Sequence, residues 1–148
     1  SDPTDLAGNN TVLESFLPSA LIANWDVMGL HYENCLYDPE KMSTPLFLDF
    51  GGSFDTRAMG GEKPFTPNSI NAYDGFTDAA INQSATRVYS AMDRQRWRAS
   101  KERVASLTES EIRQLVRSLP LSGQQRRIET LLARKEIIEN TSYNEVFG

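Results

Sequence analysis

TESEIRQLVRSLPLSGQQRRIETLLARKEIIE is the sequence of residues 108–139, and it decides the fold class because it has the pattern of two consecutive helices. Thr108 and Glu111 have the spacing of a capping box, in which each side chain bonds the other residue's backbone N–H at a helix start. The apolar residues that follow at helical spacing are Ile112, Leu115, Val116 and Leu119. Pro120 has no N–H to donate, so it ends this first helix.

A second helix follows directly. Ser122 and Gln125 have the same capping-box spacing. The apolar residues after them that share one face are Ile128, Leu131, Leu132 and Ile138. Upstream, the spacing of apolar residues predicts two more helices, over residues 78–92 and 93–107. The sequence therefore predicts a C-terminal helical subdomain.

The N-terminal half has shorter and less regular patterns. Residues 11–25 carry apolar side chains at near-helical spacing, but Pro18 interrupts them, which predicts either two short helices or one helix with Pro18 in its first turn. Residues 34–37 and 45–50 are short apolar runs separated by about seven residues, a spacing typical of a β-hairpin. Residues 53–77 are rich in Gly, Pro, Asn and Ser, which predicts a long loop.

Together these elements predict the α+β class, mostly helical, with a small β-hairpin and a C-terminal helical subdomain. We expect one domain over residues 1–148, since that length is typical of a single domain. Within it, residues 1–10 are expected to be flexible, residues 11–65 to carry the catalytic and metal-binding loops, and residues 77–140 to form the helical subdomain.

Composition excludes several classes of protein. The single cysteine, Cys35, excludes an intramolecular disulfide framework and is typical of a reducing compartment. No apolar run is long enough to span a bilayer. Residues 1–6 have neither the basic nor the apolar part of a secretory signal. We therefore expect a protein without a membrane span that is cytoplasmic, or that is delivered as an effector without a conventional signal peptide.

Charge is distributed unevenly along the chain. Residues 1–93 hold four Lys or Arg against thirteen Asp or Glu, whereas residues 94–135 hold eleven Lys or Arg against four Asp or Glu. Two interpretations follow from this asymmetry. In the first, acidic residues of the segment 1–93 pair with basic residues of the segment 94–135 in the fold. In the second, the basic segment binds an anionic partner.

Two groups of residues have the order that phosphoryl transfer needs. Asp26 ends a predicted helix, and Asn34 opens the first predicted strand. An acid placed so accepts or orients the proton of an attacking hydroxyl, and an amide oxygen binds a magnesium ion that also holds phosphates. Asp49 follows the second strand and precedes Phe50 and two glycines, which leaves room for a metal and phosphate oxygens. Hard oxygen ligands of this kind suit Mg²⁺ better than zinc.

The stretches that carry these groups resemble a known family. LIANWDVMGLHYENCLYD, residues 21–38, and LFLDFGGSFDTRAMGGEKPF, residues 46–65, resemble the C-terminal lobe of atypical kinase-like proteins, near the HipA-like and actin–fragmin-kinase-like branches. Related bacterial and phage-associated sequences have the pattern ANWDVVG…DN, then D-x-GG…(F/Y)RA-x-G…K. RVASLTESEIRQLVRS and TLLARKEIIE, further on, resemble the helical tail of the same proteins.

The resemblance implies a kinase-like phosphotransferase that uses ATP and Mg²⁺ and has a protein substrate or partner. It implies Asp26 as the catalytic acid or base, and Asn34 and Asp49 as the metal ligands. Arg57 and Lys63 match basic residues that neutralise phosphate charge and so bind the cofactor. Asp26 and Asn34 are eight residues apart, however, where the usual kinase loop places the two five apart.

Residues 1–25 contain no Gly-rich loop and no strand lysine of the kind that a nucleotide-covering lobe supplies. We therefore expect the chain to be incomplete or inactive by itself, and to self-associate through the surface where such a lobe docks. The missing lobe also favours the alternative function, which is a non-catalytic protein-interaction module of a bacterial effector or toxin-like protein.

Two further alternatives are disfavoured. The basic side chains of one predicted helix have the character of a nucleic-acid-binding face; they are Arg94, Arg96, Arg98, Lys101 and Arg103. We favour a solvated helix instead, because the whole chain is acidic and Trp97 and Val104 have the spacing of core residues. A thiol site built from Cys35, His31 and Asp49 is disfavoured because Cys35 lies inside an apolar run.

Overall fold

The computed structural model describes residue 6 and residues 8–22, 35–36, 46–47, 65–68, 70, 72–118 and 122–148. The helices of these residues are α1 (Asn10–Glu14), α2 (Phe16–Leu21), α3 (Ala72–Thr77), α4 (Gln83–Tyr89), α5 (Arg94–Ala105), α6 (Glu109–Ser118), α7 (Gln124–Glu139) and α8 (Tyr143–Phe147). The described part of the chain is thus mostly helical, as the sequence predicts.

Two strands of two residues each pair in antiparallel fashion. β1 is Cys35–Leu36 and β2 is Leu46–Phe47, with Cys35 opposite Phe47 and Leu36 opposite Leu46. Most of the residues of the predicted hairpin, including the whole connection between these strands, lie outside the described residues. The hairpin as a whole therefore stays a prediction.

The N-terminal apolar run forms two short helices, which was one of the two predicted arrangements. α1 and α2 are separated at Ser15, and Pro18 is the third residue of α2. The N–H groups of a helix's first turn have no partner within the helix, so proline costs no hydrogen bond at that position. The Ser15 hydroxyl lies 3.0 Å from the hydroxyl of Tyr89, which ties the break between the helices to α4.

The core is centred on Phe16, which is completely buried. Five aromatic rings surround its ring, with centroid separations of 5.0 to 6.1 Å. We call them with Phe16 the aromatic cluster: Tyr73, Phe76, Tyr89, Trp97 and Phe147. They come from α3, α4, α5 and α8. The Phe16 side chain of α2 therefore contacts four helices that follow it at widely spaced positions in the sequence.

α5 is the helix on which both N-terminal helices pack, and it also contacts α7. The hydroxyl of the fully buried Ser100 donates to the Glu14 carbonyl at 2.7 Å and accepts the Leu17 N–H at 2.9 Å. Both of these backbone groups lie at helix ends, where no partner exists within the helix. Ser100 therefore bridges the break between α1 and α2.

Helix α3 corrects the sequence interpretation, which assigned residues 53–77 to a loop. Its six residues include Gly75, and so short a segment has little helical stability of its own. Tyr73 and Phe76 pack their rings against Phe16. Packing in the aromatic cluster thus stabilises a helix that local sequence does not predict.

Helix α4 is shorter than the predicted helix over residues 78–92. The Asp78 carboxylate accepts the Ala80 N–H at 2.9 Å, and this contact belongs to a turn. The helix begins only after Asn82, whose side chain accepts the N–H of Ala85. Asp and Asn side chains compete with a helix for backbone N–H groups, which explains the late start.

The two predicted capping boxes have different outcomes. At the start of α6, Glu111 N–H donates to the Thr108 hydroxyl at 3.1 Å, and Thr108 N–H donates to the Glu111 carboxylate at 3.2 Å, so this box is confirmed. The predicted box of Ser122 and Gln125 is wrong. α7 has Gly123 as its N-cap, with φ of 64° and no side-chain cap. A positive φ is available to glycine at little cost, and it moves the helix start one residue past Ser122.

Candidate functional site

The predicted site residues all fall between α2 and residue 65, and they lie outside the described residues: Asp26, Asn34, Asp49, Arg57 and Lys63. Their roles, and the binding of Mg²⁺ and ATP, remain predictions. Within the described ranges, no group of three or more His, Cys, Asp or Glu side chains is placed to hold a metal ion.

The structure does describe how the chain is held on both sides of that stretch. Arg134 of α7 donates from Nε to the Leu21 carbonyl at 2.9 Å and from Nη2 to the Ala20 carbonyl at 2.7 Å. Its Nη1 donates to the Thr66 carbonyl at 3.1 Å. One guanidinium therefore joins the end of α2 to Thr66, which lies 45 residues after Leu21 in the sequence. We call these contacts the Arg134 clamp.

The clamp is buried and charged. Arg134 is 1% exposed, and its guanidinium carbon lies 4.8 Å from the centre of the Phe65 ring. Burial lowers the pKa of Arg134 to about 10, which leaves the side chain charged at neutral pH. Carbonyls at a helix C-terminus lack partners within the helix, so a cation there satisfies the Leu21 carbonyl and gives a second donor to the Ala20 carbonyl, which also accepts the Ile22 N–H.

Sequence reasoning missed Arg134, because it considered only the apolar residues of this helix. The residue lies three positions after Leu131 and four before Ile138, both of which are buried. Residues at these spacings share one face of a helix. Its position on the apolar face is therefore the sequence feature that could have predicted an inward-facing Arg134.

A surface groove with a volume of about 470 Å³ lies beside the C-terminal half of α7. The residues that line it are Pro67, Ala133, Glu136, Ile137, Asn140, Thr141 and Glu145. Hydrogen bonds from the backbone and side chain of Ser142 lower the pKa of the Glu145 carboxyl, which favours its charged form. Among the described residues that line this groove are two carboxylates and no basic side chain, and such a lining does not favour a phosphate ligand.

The basic stretch of α5 contacts other parts of the fold. Glu14 accepts Arg96 Nη1 at 3.0 Å and Arg103 Nη2 at 2.7 Å. Arg94 donates to the Asn144 side chain, and Lys101 donates to the Thr141 carbonyl.

The two ion pairs of Glu14 agree with the first interpretation of the charge asymmetry, in which acidic residues of the segment 1–93 pair with basic residues of the segment 94–135. Trp97 and Val104 are buried, as their spacing predicted. The cations of α5 that contact Glu14 hold α1 in place, which is a structural role. Nucleic-acid binding therefore gains no support from them.

Glu14→Gln is expected to lower the free energy of unfolding by about 1–2 kcal/mol, because it leaves the half-buried Arg96 facing a neutral amide. The Glu14 and Arg96 side chains are only 15% and 18% exposed. Urea denaturation followed by circular dichroism measures the change. The matched control is Glu109→Gln, which removes an exposed pair with Arg113 and should cost about 0.5 kcal/mol or less. Equal, small losses in both variants would contradict the role given to Glu14.

Comparison with known proteins adds no relative to this picture. No family model, no curated protein and no solved structure matches the chain. Among the described helices, none is long and apolar enough to cross a membrane.

Proposed function

We propose that this chain is the C-terminal part of an atypical kinase-like phosphotransferase, whose helical body carries the catalytic residues between α2 and residue 65. The observation that supports it most is the order of the motifs, with Asp26 and Asn34 preceding Asp49-Phe50-Gly51-Gly52. The same order occurs in the catalytic and metal-binding loops of kinases.

In this proposal each residue has a role fixed by its chemistry. Asp26 accepts the proton of the attacking hydroxyl of a protein substrate. Asn34 and Asp49 would hold Mg²⁺, which neutralises charge on the phosphates of bound ATP. Arg57 and Lys63 add positive charge where negative charge develops on the transferred phosphoryl group. Phosphoryl transfer depends mainly on such positioning and electrostatic stabilisation.

The described helical body supports the proposal because its helices pack around one buried core. Catalytic groups act best when packed elements hold them. The Arg134 clamp holds the chain at Leu21 and at Thr66, and these residues flank all five proposed site residues in the sequence. Phosphoryl transfer also uses a Gly-rich loop and a strand lysine, which residues 1–25 lack, whereas the Mg²⁺-phosphate contacts proposed for Asn34 and Asp49 need only residues of this chain.

Mg²⁺-dependent ATP binding, measured by calorimetry on the full chain, tests the proposal. We expect wild type to bind and Asp49→Ala to bind more weakly by about tenfold or more, because a metal ligand is lost. Asp55→Ala is the matched control, since it removes a carboxylate six residues further along the sequence that has no proposed role. A folded wild-type chain that does not bind, or equal binding by wild type and Asp49→Ala, would contradict the proposal.

A second candidate is a non-catalytic protein-interaction module of a bacterial effector or toxin-like protein. The observation that favours it is the lack of a Gly-rich loop and strand lysine in residues 1–25. Pull-down separates the two candidates. Capture of a partner that is unchanged by Asp49→Ala, from a chain that binds no ATP, favours the module.

A further inference from the structure

Helix α8 packs on the rest of the fold through two aromatic side chains. The ring centroids of Tyr143 and Phe147 lie 6.2 and 6.0 Å from that of Trp97 on α5. The Phe147 ring also lies 5.2 Å from the ring of Phe16. α8 borders the groove described above as well, since Glu145 lines that groove together with three residues of α7. Open space therefore lies beside α8, next to the C-terminal half of α7.

This helix has little stability of its own. It has five residues, none of which is fully buried, and isolated helices shorter than about 12–15 residues are marginal in water. Its capping box is local: the Glu145 N–H donates to the Ser142 hydroxyl, and the Ser142 N–H donates to the Glu145 carboxylate. The packing of its rings on α5 and α2 is therefore what keeps α8 folded.

The polar contacts between α8 and α5 lie at or near the surface. Arg94 donates to the side chain of Asn144 in an exposed contact. The Tyr143 hydroxyl donates to the Met92 carbonyl, just before α5, at 3.3 Å in a partly buried contact. Water can replace either partner in contacts of this kind, so breaking them costs little net free energy.

The other helices keep most of their contacts when α8 detaches. Four of the five rings around Phe16 belong to α3, α4 and α5. The hydrogen bonds of Ser100 and Arg134 hold α2 to α5 and α7 without any contribution from α8. Local opening of one element at a free energy below that of global unfolding is common in proteins where that element makes few buried contacts.

We propose that α8 is a strap over the other rings of the aromatic cluster: it opens as one unit, turning at residues 140–142, while the other described helices stay packed. Trp97 is only 3% exposed with the strap closed, and opening removes both rings that α8 places against it. The strap therefore controls solvent access to one side of the aromatic cluster. This inference does not depend on the proposed phosphoryl transfer.

Native-state hydrogen exchange of the full chain, followed by NMR, tests the strap. Within α8 the probes are the backbone N–H groups of Glu145 and Gly148, which donate to the Ser142 hydroxyl and the Asn144 carbonyl. The indole N–H of Trp97 reports on the uncovered surface, and the amides of residues 98–105 in α5 report on global unfolding. Wild type is compared with Ile112→Val, which removes one methyl group from a buried side chain of α6.

We expect the N–H groups of Glu145 and Gly148 and the Trp97 indole to share one protection factor, about a hundredfold or more below that of residues 98–105. Ile112→Val should speed exchange at residues 98–105 by about threefold to tenfold, because the lost methyl group destabilises the packed core relative to the unfolded chain. It should leave the exchange of α8 unchanged, because α6 stays packed whether the strap is open or closed.

Three results would overturn the proposal. If Glu145 and Gly148 are as protected as residues 98–105, or respond equally to Ile112→Val, α8 opens only with the whole fold. If Gly148 exchanges fast while Glu145 is as slow as α5, the helix frays at one residue and does not open as a unit. If the Trp97 indole exchanges at the rate of residues 98–105, opening of α8 does not uncover the aromatic cluster.

Discussion

Replacing Phe16 by alanine is expected to lower the free energy of unfolding by about 3–5 kcal/mol, the largest effect of any single substitution considered. Phe16 is completely buried, and the other rings of the aromatic cluster surround it at 5.0 to 6.1 Å. Removing its ring leaves a cavity where four other helices meet, and the rigid core can close such a cavity only in part.

Urea denaturation monitored by circular dichroism at 222 nm measures this loss. Phe16→Leu is the matched control, since it keeps most of the volume and should cost about 1.5 kcal/mol or less. It also keeps the prediction testable if Phe16→Ala does not fold, because a small domain has only about 5–15 kcal/mol of stability. A loss below about 1 kcal/mol for Phe16→Ala would show that the cluster is not the centre of the core.

Ser100→Ala is expected to have the second-largest effect, a loss of about 2–4 kcal/mol in the free energy of unfolding. The substitution removes one small hydroxyl but leaves two buried backbone groups without a partner, the Glu14 carbonyl and the Leu17 N–H. The cost of an unsatisfied buried group exceeds the net value of an average hydrogen bond. The packing of the α1–α2 junction on α5 should therefore be the first contact to loosen.

Ser106→Ala provides the matched control for Ser100→Ala. It removes the same kind of group, a serine hydroxyl, at the C-terminal end of α5. Ser106 is exposed there and donates to the Arg103 carbonyl at 3.1 Å. A change within about 0.5 kcal/mol is expected there. If the melting temperatures of the two variants are equally close to that of wild type, the bridging role of Ser100 is wrong.

Both predictions concern the attachment of α1 and α2 to α5. Ile22, directly after α2, is the last described residue before Asp26 in the sequence. Phe16 and Ser100 fix α2 against α5, and Arg134 fixes its end against α7.

The sequence by itself determined the helical character of the described part of this protein and the starts of α5 and α6. Asp93 was predicted to begin a helix, and its carboxylate accepts the Arg96 N–H at the start of α5. The capping box of Thr108 and Glu111 forms as predicted. Such features are encoded locally, because the capping side chain and the backbone N–H that donates to it lie within three residues of each other.

Only the tertiary structure decided the rest. α3 forms where the sequence predicts a loop, because its rings pack on Phe16. Arg134 faces inward and donates to the Ala20 carbonyl, and Glu14 pairs with Arg96. The two residues of each pair are more than eighty positions apart in the sequence. A propensity of a few tenths of a kcal/mol per residue is small beside burial of an aromatic ring. Contacts of that kind depend on the whole fold, so no local pattern of residues predicts them.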